Sequence, residues 1–475
     1  MPLKSPITAL APETHLQIIQ SLAFLDKVNL SATCKLFRKL LVPDIFKKLL
    51  FGNWDDGPAS VLAVAKAHGQ VTEAIALTLT AGAGEETEVP ALLTDAAAVL
   101  SGHWTPNVLT IVLTFDFEFE DLGEGEWSDE RDWLETPEND DDVELAEKKY
   151  LWRAVVNETW LAVSKNTTVK ELIIDGFFPV LASAYRRPEF TRFLGQIEHA
   201  VFNLASDEGM PDTWPYHHGF QRIFPEVSTI FLSRLKSLVS LHLDGNHSML
   251  GLSTYAHTPL PLRGLSLPSL RRLTLRSCFI DDELVWFLRQ HRATLASLNV
   301  QDCFCVSVPW ARDSVGTWAM FFDQFVEMRP VLTEIVAGYN ADRVSRQRWL
   351  PKARDSETRE RMCDALRANP GMKHFCYADF NTETGRTRMD AEANETAFRD
   401  GRDWAAYQRL VDLVEDNAVN GADIYQAPVE YNEVRNYTHG ENCTCDHSKD
   451  GVWLRELGEL TTTSDEEATT SDEED

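Results

Sequence analysis

The side chains able to do chemistry here fall into four groups. Cys443-x-Cys445-x-His447, with His439 nearby, carries the thiolate and imidazole donors that zinc prefers. Structural zinc sites place their ligands two to four residues apart around a turn and need a second pair, so the favoured reading is coincidence in a loop. Asp116 to Glu147 is crowded with carboxylates, which in pairs serve as acid and base. No apolar pocket adjoins them to shift a pKa, so an exposed acidic insertion is expected. Arg272 and Arg276 share one short strand-like run and are able to grip an acidic or phosphorylated peptide; pairing with local carboxylates is the plainer alternative. Ser464 and Ser471 each precede acidic clusters, a context that acidophilic kinases such as casein kinase 2 favour. A Gly-rich phosphate loop after a strand, a Gly-x-Ser-x-Gly elbow and a His-Glu-x-x-His pair are all absent from the sequence. The expectation is a non-enzyme, with no catalytic residues, metal or cofactor.

The elements that position these groups must come from a folding chain, since 44% of residues are hydrophobic and 10% aromatic. At 475 residues the chain exceeds one ordinary core unless that core is an elongated stack of repeats. The formal charge of −29 opposes phosphate backbones and anionic lipid, so neither nucleic acid nor membrane is an expected partner. No signal-peptide core and no run of about 18 apolar residues occurs. Eight cysteines without framework spacing suit a reducing compartment, cytoplasmic and/or nuclear.

Four runs share one grammar: Leu238-x-x-Leu241-x-Leu243-x-x-Asn246, Leu270-x-x-Leu273-x-Leu275-x-x-Cys278, Leu295-x-x-Leu298-x-Val300-x-x-Cys303 and Leu332-x-x-Ile335-x-Ala337-x-x-Asn340. This is the leucine-rich-repeat signature, at an irregular period of about 25 to 40 residues. Alternate apolar residues of a short strand fill a shared core, and an Asn or Cys then turns the chain. Weaker relatives lie at Val169 to Phe177 and Met372 to Phe380, and further strands are expected at Ala74 to Leu79, Leu109 to Phe117 and Ile197 to Leu204. Helices are expected from Asp281 to His291 and from Trp318 to Met328, the latter with Phe321, Phe322 and Phe325 in the core. Parallel stacking would turn Ser240, His242, Asp244, Arg272, Thr274, Arg276, Ser297, Asn299 and Gln301 to an open concave face. His242, Asp244, Arg272, Arg276, Asn299 and Gln301 are the candidate target-binding residues.

Ahead of the repeats, three short helices fit the first fifty residues. Pro12 and Glu13 suit a first turn, Leu16, Ile19 and Leu22 share a face, and Asp26 can cap a second helix. Val28, Leu30 and Cys34, then Phe37, Leu40 and Leu41, continue the apolar stripe into a third. Leu-x-x-Glu, Leu-x-Ile-Ile-x-x-Leu, Leu-Asp-x-Val-x-Leu and Cys-Lys-x-Phe-Arg together resemble the F-box pattern over about a tenth of the chain. Ala11 replaces the family's first proline, and Thr14 stands where an apolar residue is common. The resemblance implies that Leu10, Pro12, Glu13, Leu16, Ile18, Ile19, Leu22, Leu25, Val28, Leu30, Cys34 and Phe37 contact the adaptor Skp1 or support that contact, with a cullin reached through Skp1. An ordinary helical cap on a repeat stack would use the same periodicity.

The expected architecture is α/β: residues 1–50 an F-box; 60–430 a curved leucine-rich-repeat solenoid, parallel strands lining the concave face and helices outside, with the acidic insertion at 116–147; and 431–475 a largely disordered acidic tail. The expected function is substrate recognition in an SCF-type ubiquitin ligase, with an unknown protein target. A repeat scaffold outside any ligase is the alternative, and a hydrolase using the acidic cluster or the Cys443 region is a third.

Overall fold

One apolar residue, followed by others three and five places on, recurs through the chain. Val108, Ile111 and Leu113 set the pattern, and Val169, Leu172 and Ile174 repeat it, as do Ile197, Ala200 and Phe202, all of them buried. The four runs named above differ only in using leucine more often. In the computed structural model, which describes residues 10–54, 56–82, 90–118, 140–178, 180–204, 223–245, 260–262, 264–306, 316–339, 356–380 and 387–420, each such triplet enters or spans a strand.

The strands are β1 Lys48–Gly52, β2 Ala74–Gly82, β3 Thr110–Glu118, β4 Glu171–Phe177, β5 His199–Leu204, β6 Ser240–Asp244, β7 Arg272–Phe279, β8 Ser297–Val306, β9 Glu334–Ala337, β10 Cys376–Phe380 and β11 Thr387–Met389. Among the described residues they form one sheet, in which β1 to β8 pair in chain order and all pairs but one are parallel. The result is an α/β solenoid. Its strands are tied by a repeated carbonyl: Glu73 O accepts from Leu109 N and Thr110 N at 2.8 and 3.1 Å, and Leu109 O accepts from Lys170 N and Glu171 N at 2.8 and 2.9 Å. Lys170, Glu198, Val239, Arg271 and Ala296 continue the ladder, so each repeat satisfies the backbone of the next.

The chain opens with α1 Pro12–Gln20, α2 Phe24–Thr33 and α3 Lys35–Ile45, followed by α4 Gly57–His68, α5 Thr94–Leu100, α6 Asp140–Lys149, α7 Leu151–Val163, α8 Pro188–Gln196 and α9 Val227–Ile230. Next come α10 Asp282–Gln290, α11 Trp318–Glu327, α12 Ser356–Ala368, α13 Ala391–Asp400 and α14 Arg402–Asn420. Side-chain caps fix several of them: Asp281 accepts from Leu284 N, Thr317 from Met320 N and Asp390 from Ala393 N. Trp160, Phe190 and Phe231 meet edge to face at 5.4 to 5.5 Å between α7, α8 and the β5–β6 connection, an arrangement that adds to simple burial.

The five further strands appear where apolar alternation placed them, as β4, β10, β2, β3 and β5. Four expectations need correcting. The sheet begins at Lys48, ahead of residue 60, because Leu49 and Phe51 alternate inward directly after α3. The ends of the acidic stretch are built into the fold: Asp116 lies in β3, and Glu147 in α6 accepts from Ser183 N and Ser183 Oγ at 2.7 Å. Residues 119–139 lie outside the described residues, as do Asn246, Asn340, Cys443 to His447 and the tail. Cys278 and Cys303 do not end their strands, which run on to Phe279 and Val306. Their thiols lie inside, against the carbonyls of Arg276 and Leu275.

The fourth correction concerns the helices. Phe279, Phe304 and Val306 point away from the main core and form a second one with Cys376, Ala378, Tyr339 and, from α12, Cys363 and Leu366. The sheet is therefore covered on both faces at that end. Strands buried on both sides read as unbroken apolar runs, which is what Cys303-Phe304-Cys305-Val306 is. The antiparallel β11 then lies along β10.

Candidate interaction surfaces

The N-terminal helices have a small core of their own. Ile19, Phe37 and Leu41 are buried together, with Leu30, Cys34, Leu40 and Ile45 packed around them, and His15 meets Phe37 edge to face at 5.4 Å. Lys27 holds Asp44 at 2.8 Å, which pins α2 to α3. This core touches the solenoid through its last turn: Phe46 stacks on His68, and Thr72 Oγ1 donates to Phe46 O at 2.9 Å.

Of the candidate adaptor residues, Ile19 and Phe37 are buried, and Ile18, Leu22, Val28, Leu30 and Cys34 are half-buried. Leu10, Leu16 and Leu25 are exposed, at 41%, 49% and 53% of their surface, and Glu13 is also exposed. Pro12 sits in the first turn of α1. Phe24 and Leu36, which the sequence reading did not single out, are exposed too, at 57% and 40%. Large apolar side chains concentrated on three short helices mark a surface that water covers at a cost.

The second surface is the face of the sheet turned away from the main core. Position by position across the strands, Leu50, Ala76, Val112, Ile173, Val201, His242, Thr274 and Asn299 form one line, apolar as far as β5 and polar beyond it. Val112, Ile173 and Val201 pack together there as a patch separate from the main core. Two residues further along the strands runs a charged line: Asp175, Asn203, Asp244, Arg276 and Asp302.

Backbone irregularities build that line. The register shifts just after Asp175, where Gly176 takes φ +68° and a Cβ would strike Phe115 O. It shifts again around Arg276, followed by Ser277 at φ +50°. Such bulges add a residue, break the alternation and re-aim the side chain ahead of them.

The charged groups are desolvated. Burial raises the Asp175 pKa, against the hydrogen bond donated by the Asn203 amide, and the Asp244 charge raises it further. Burial drives His242 down to about 4, so its ring is neutral; Asp244 pulls the other way and Arg276 reinforces the shift. His242 Nε2 is shut off from solvent and meets no hydrogen-bond partner. Arg276 pairs with Asp302 at 3.2 Å, both side chains largely covered.

Of the candidate target-binding residues, the structure brings His242, Asp244 and Arg276 together. Arg272 stands four residues up the strand between Ser240 and Ser297, and makes no ion pair among the described residues. The two arginines do not form one grip, because Asp302 already holds Arg276. Gln301 falls in the register shift, where its N–H is taken by Asn299 Oδ1 at 3.0 Å, and Asp302 takes the place beside Arg276. Asp175, Asn203 and Asp302 were missed. Each of the first two directly follows the second strand residue of an apolar triplet, Ile174 and Phe202, and was findable by letting any aliphatic or aromatic residue stand for leucine.

Among the described residues no group of His, Cys, Asp and Glu is placed to hold a metal ion, and no helix is long and apolar enough to cross a membrane. Neither a scan against protein-family models nor a search of curated proteins returned a match for this chain.

Proposed function

We propose that the chain is a receptor subunit: its N-terminal helices are an F-box that docks on Skp1 and thereby a cullin, and its solenoid, of leucine-rich-repeat type, holds a protein target for ubiquitin transfer by other subunits. The observation that carries this reading is the exposure of Leu16, Phe24, Leu25 and Leu36 on helices that bury a core of their own, with Leu10 exposed just ahead of them. A mere cap on the repeat stack would turn such side chains toward the repeats. Apolar helix faces of this kind bind by laying into a partner's groove.

Size-exclusion chromatography with light scattering on the chain mixed with purified Skp1 tests the reading. A one-to-one complex is expected, and Leu16→Asp with Leu25→Asp should abolish it while leaving the thermal midpoint in place, since both residues are exposed. Ile19→Asp is the wrong probe, because it would break the small core itself. A folded double variant that still binds Skp1, or a wild type that does not, removes the ligase reading and leaves a scaffold.

A further inference from the structure

The chain carries 45 Lys and Arg against 74 Asp and Glu, yet cations prevail on one part of its helical layer. Along α8, Phe190, Phe193 and Leu194 face the main core, which leaves Pro188, Thr191 and Arg192 exposed on the outer side. Arg187, just ahead of the helix, is exposed as well. The β5–β6 connection brings two more cations. Arg234 lies over the Phe190 ring at 5.5 Å and donates to Tyr185 O at 2.5 Å. Ser237 Oγ donates to Gly195 O at 2.8 Å, which sets the exposed Lys236 beside the end of the helix. From the preceding repeat, Asn166 O accepts from Gln196 Nε2 at 3.1 Å, next to the exposed Lys165. The helix between them has 9 residues, a rise of roughly 14 Å, so Lys165, Arg187, Arg192, Arg234 and Lys236 share a patch the size of a short peptide.

None of these cations forms a salt bridge among the described residues. Of the carboxylates on the same segments, Glu198 is held by Lys170 at 2.9 Å, Glu147 is engaged by Ser183, and Glu189 and Glu226 pair with none of them. Folding does not explain the grouping. The dipole of α8 favours cations at its C-terminal end, where Lys165 and Lys236 stand, and disfavours Arg187 at the other. Clustered guanidinium groups suit carboxylates, which they bind through paired N–H donors.

We infer that this patch on α8 and the β5–β6 connection is a docking site for an acidic segment of a partner protein, a short run rich in aspartate or glutamate received by Arg187 and Arg192 and flanked by Lys165 and Lys236. Charge decides the occupant. Carboxylates are the protein groups that answer guanidinium and ammonium, and the acidity of the rest of the chain repels a long polyanion such as nucleic acid, whereas a short peptide stays within the patch. The site lies on the helical layer of the solenoid and uses none of α1 to α3, so it goes beyond the receptor reading and does not depend on it.

Fluorescence anisotropy of the full chain at physiological salt, with a rhodamine-labelled heptapeptide of alternating glutamate and alanine, tests this. The same peptide with glutamine for glutamate is the uncharged control. Arg187→Gln with Arg192→Gln should weaken binding of the glutamate peptide about fivefold or more, as the loss of charge-assisted contacts does. Arg289→Gln with Arg399→Gln, exposed and elsewhere, removes the same net charge and should change it less than about twofold. Arg187 and Arg192 are exposed and hold no carboxylate, so the thermal midpoint should stay in place, which separates lost binding from lost folding. Equal weakening by the two double variants, equal binding of the glutamine peptide, no binding by the wild type, or tighter binding of a labelled oligothymidylate of equal charge would overturn the inference. Skp1 binding measured on the same samples reports on the receptor reading alone.

Discussion

At the scale of single residues, backbone conformation and buried imidazoles set the sharpest constraints. Gly176 sits at φ +68° with Phe115 O where a Cβ would go, so Gly176→Ala should destabilise by more than about 2 kcal/mol, and a urea titration measures it. Ser277, at φ +50° with open alternatives for glycine, should gain about 1 kcal/mol from Ser277→Gly. A gain at Gly176 or a loss at Ser277 would contradict the bulge geometry. Burial holds His374 near a pKa of about 4, so the folded chain keeps it neutral while the unfolded chain protonates it near 6.5. The unfolded state then binds more protons, and stability is complete above pH 6.5 and falls as pH drops toward 4, by about 2 kcal/mol at pH 5. His291 acts in the same direction, because burial lowers its pKa against the opposing pull of Phe287 O, which Nδ1 faces at 2.8 Å, while Nε2 accepts from Leu267 N at 3.0 Å. His374→Gln should flatten the fall in urea midpoint between pH 7 and 5; an unchanged slope would assign it to other groups.

At the scale of elements, the C-terminal helices are fastened to the sheet by side chains that imitate backbone. Asn394 in α13 accepts from Tyr377 N at 2.9 Å and donates to Tyr377 O at 2.7 Å, pairing with β10 as a strand would. Asp403 in α14 accepts from Tyr377 Oη at 2.8 Å and from Ala319 N at 2.9 Å, so one carboxylate joins β10, α11 and α14. Asn394→Leu keeps the volume and strips both bonds, leaving buried backbone groups unmet, and should destabilise by about 2 to 3 kcal/mol in equilibrium unfolding. A near-zero change would mean that the fastening contributes nothing. These links were invisible in the sequence, because a lone Asn or Asp on a polar-looking helix carries no sign of its distant partner. Most strands were legible where apolar residues alternated, even where valine, alanine or phenylalanine replaced leucine, but β1 was missed although Leu49 and Phe51 alternate. The bulges were not: Asp175-Gly176 and Arg276-Ser277 look like ordinary strand residues until a neighbouring strand fixes their register, and so the charged line was only half seen.

At the scale of the whole molecule, the parallel ladder and the carbonyls that stitch each repeat to the next explain why a sheet of eleven strands among the described residues is built without regular spacing in the chain. Insertions are tolerated between strands because only the short strand and its leading apolar residue must keep register. Two surfaces stand apart, the apolar side chains of α1 to α3 and the charged line on the sheet face turned away from the main core. The first suits a partner, while the second ties neighbouring strands through Asn203 with Asp175 and Arg276 with Asp302. The central claim is that the first of them is reserved for another subunit. Hydrogen–deuterium exchange of the full chain with and without Skp1 tests it most directly. Slowed exchange across residues 10–45, with the strands of the sheet unchanged, is the expected result; unaltered exchange over those residues in saturating Skp1 would contradict it.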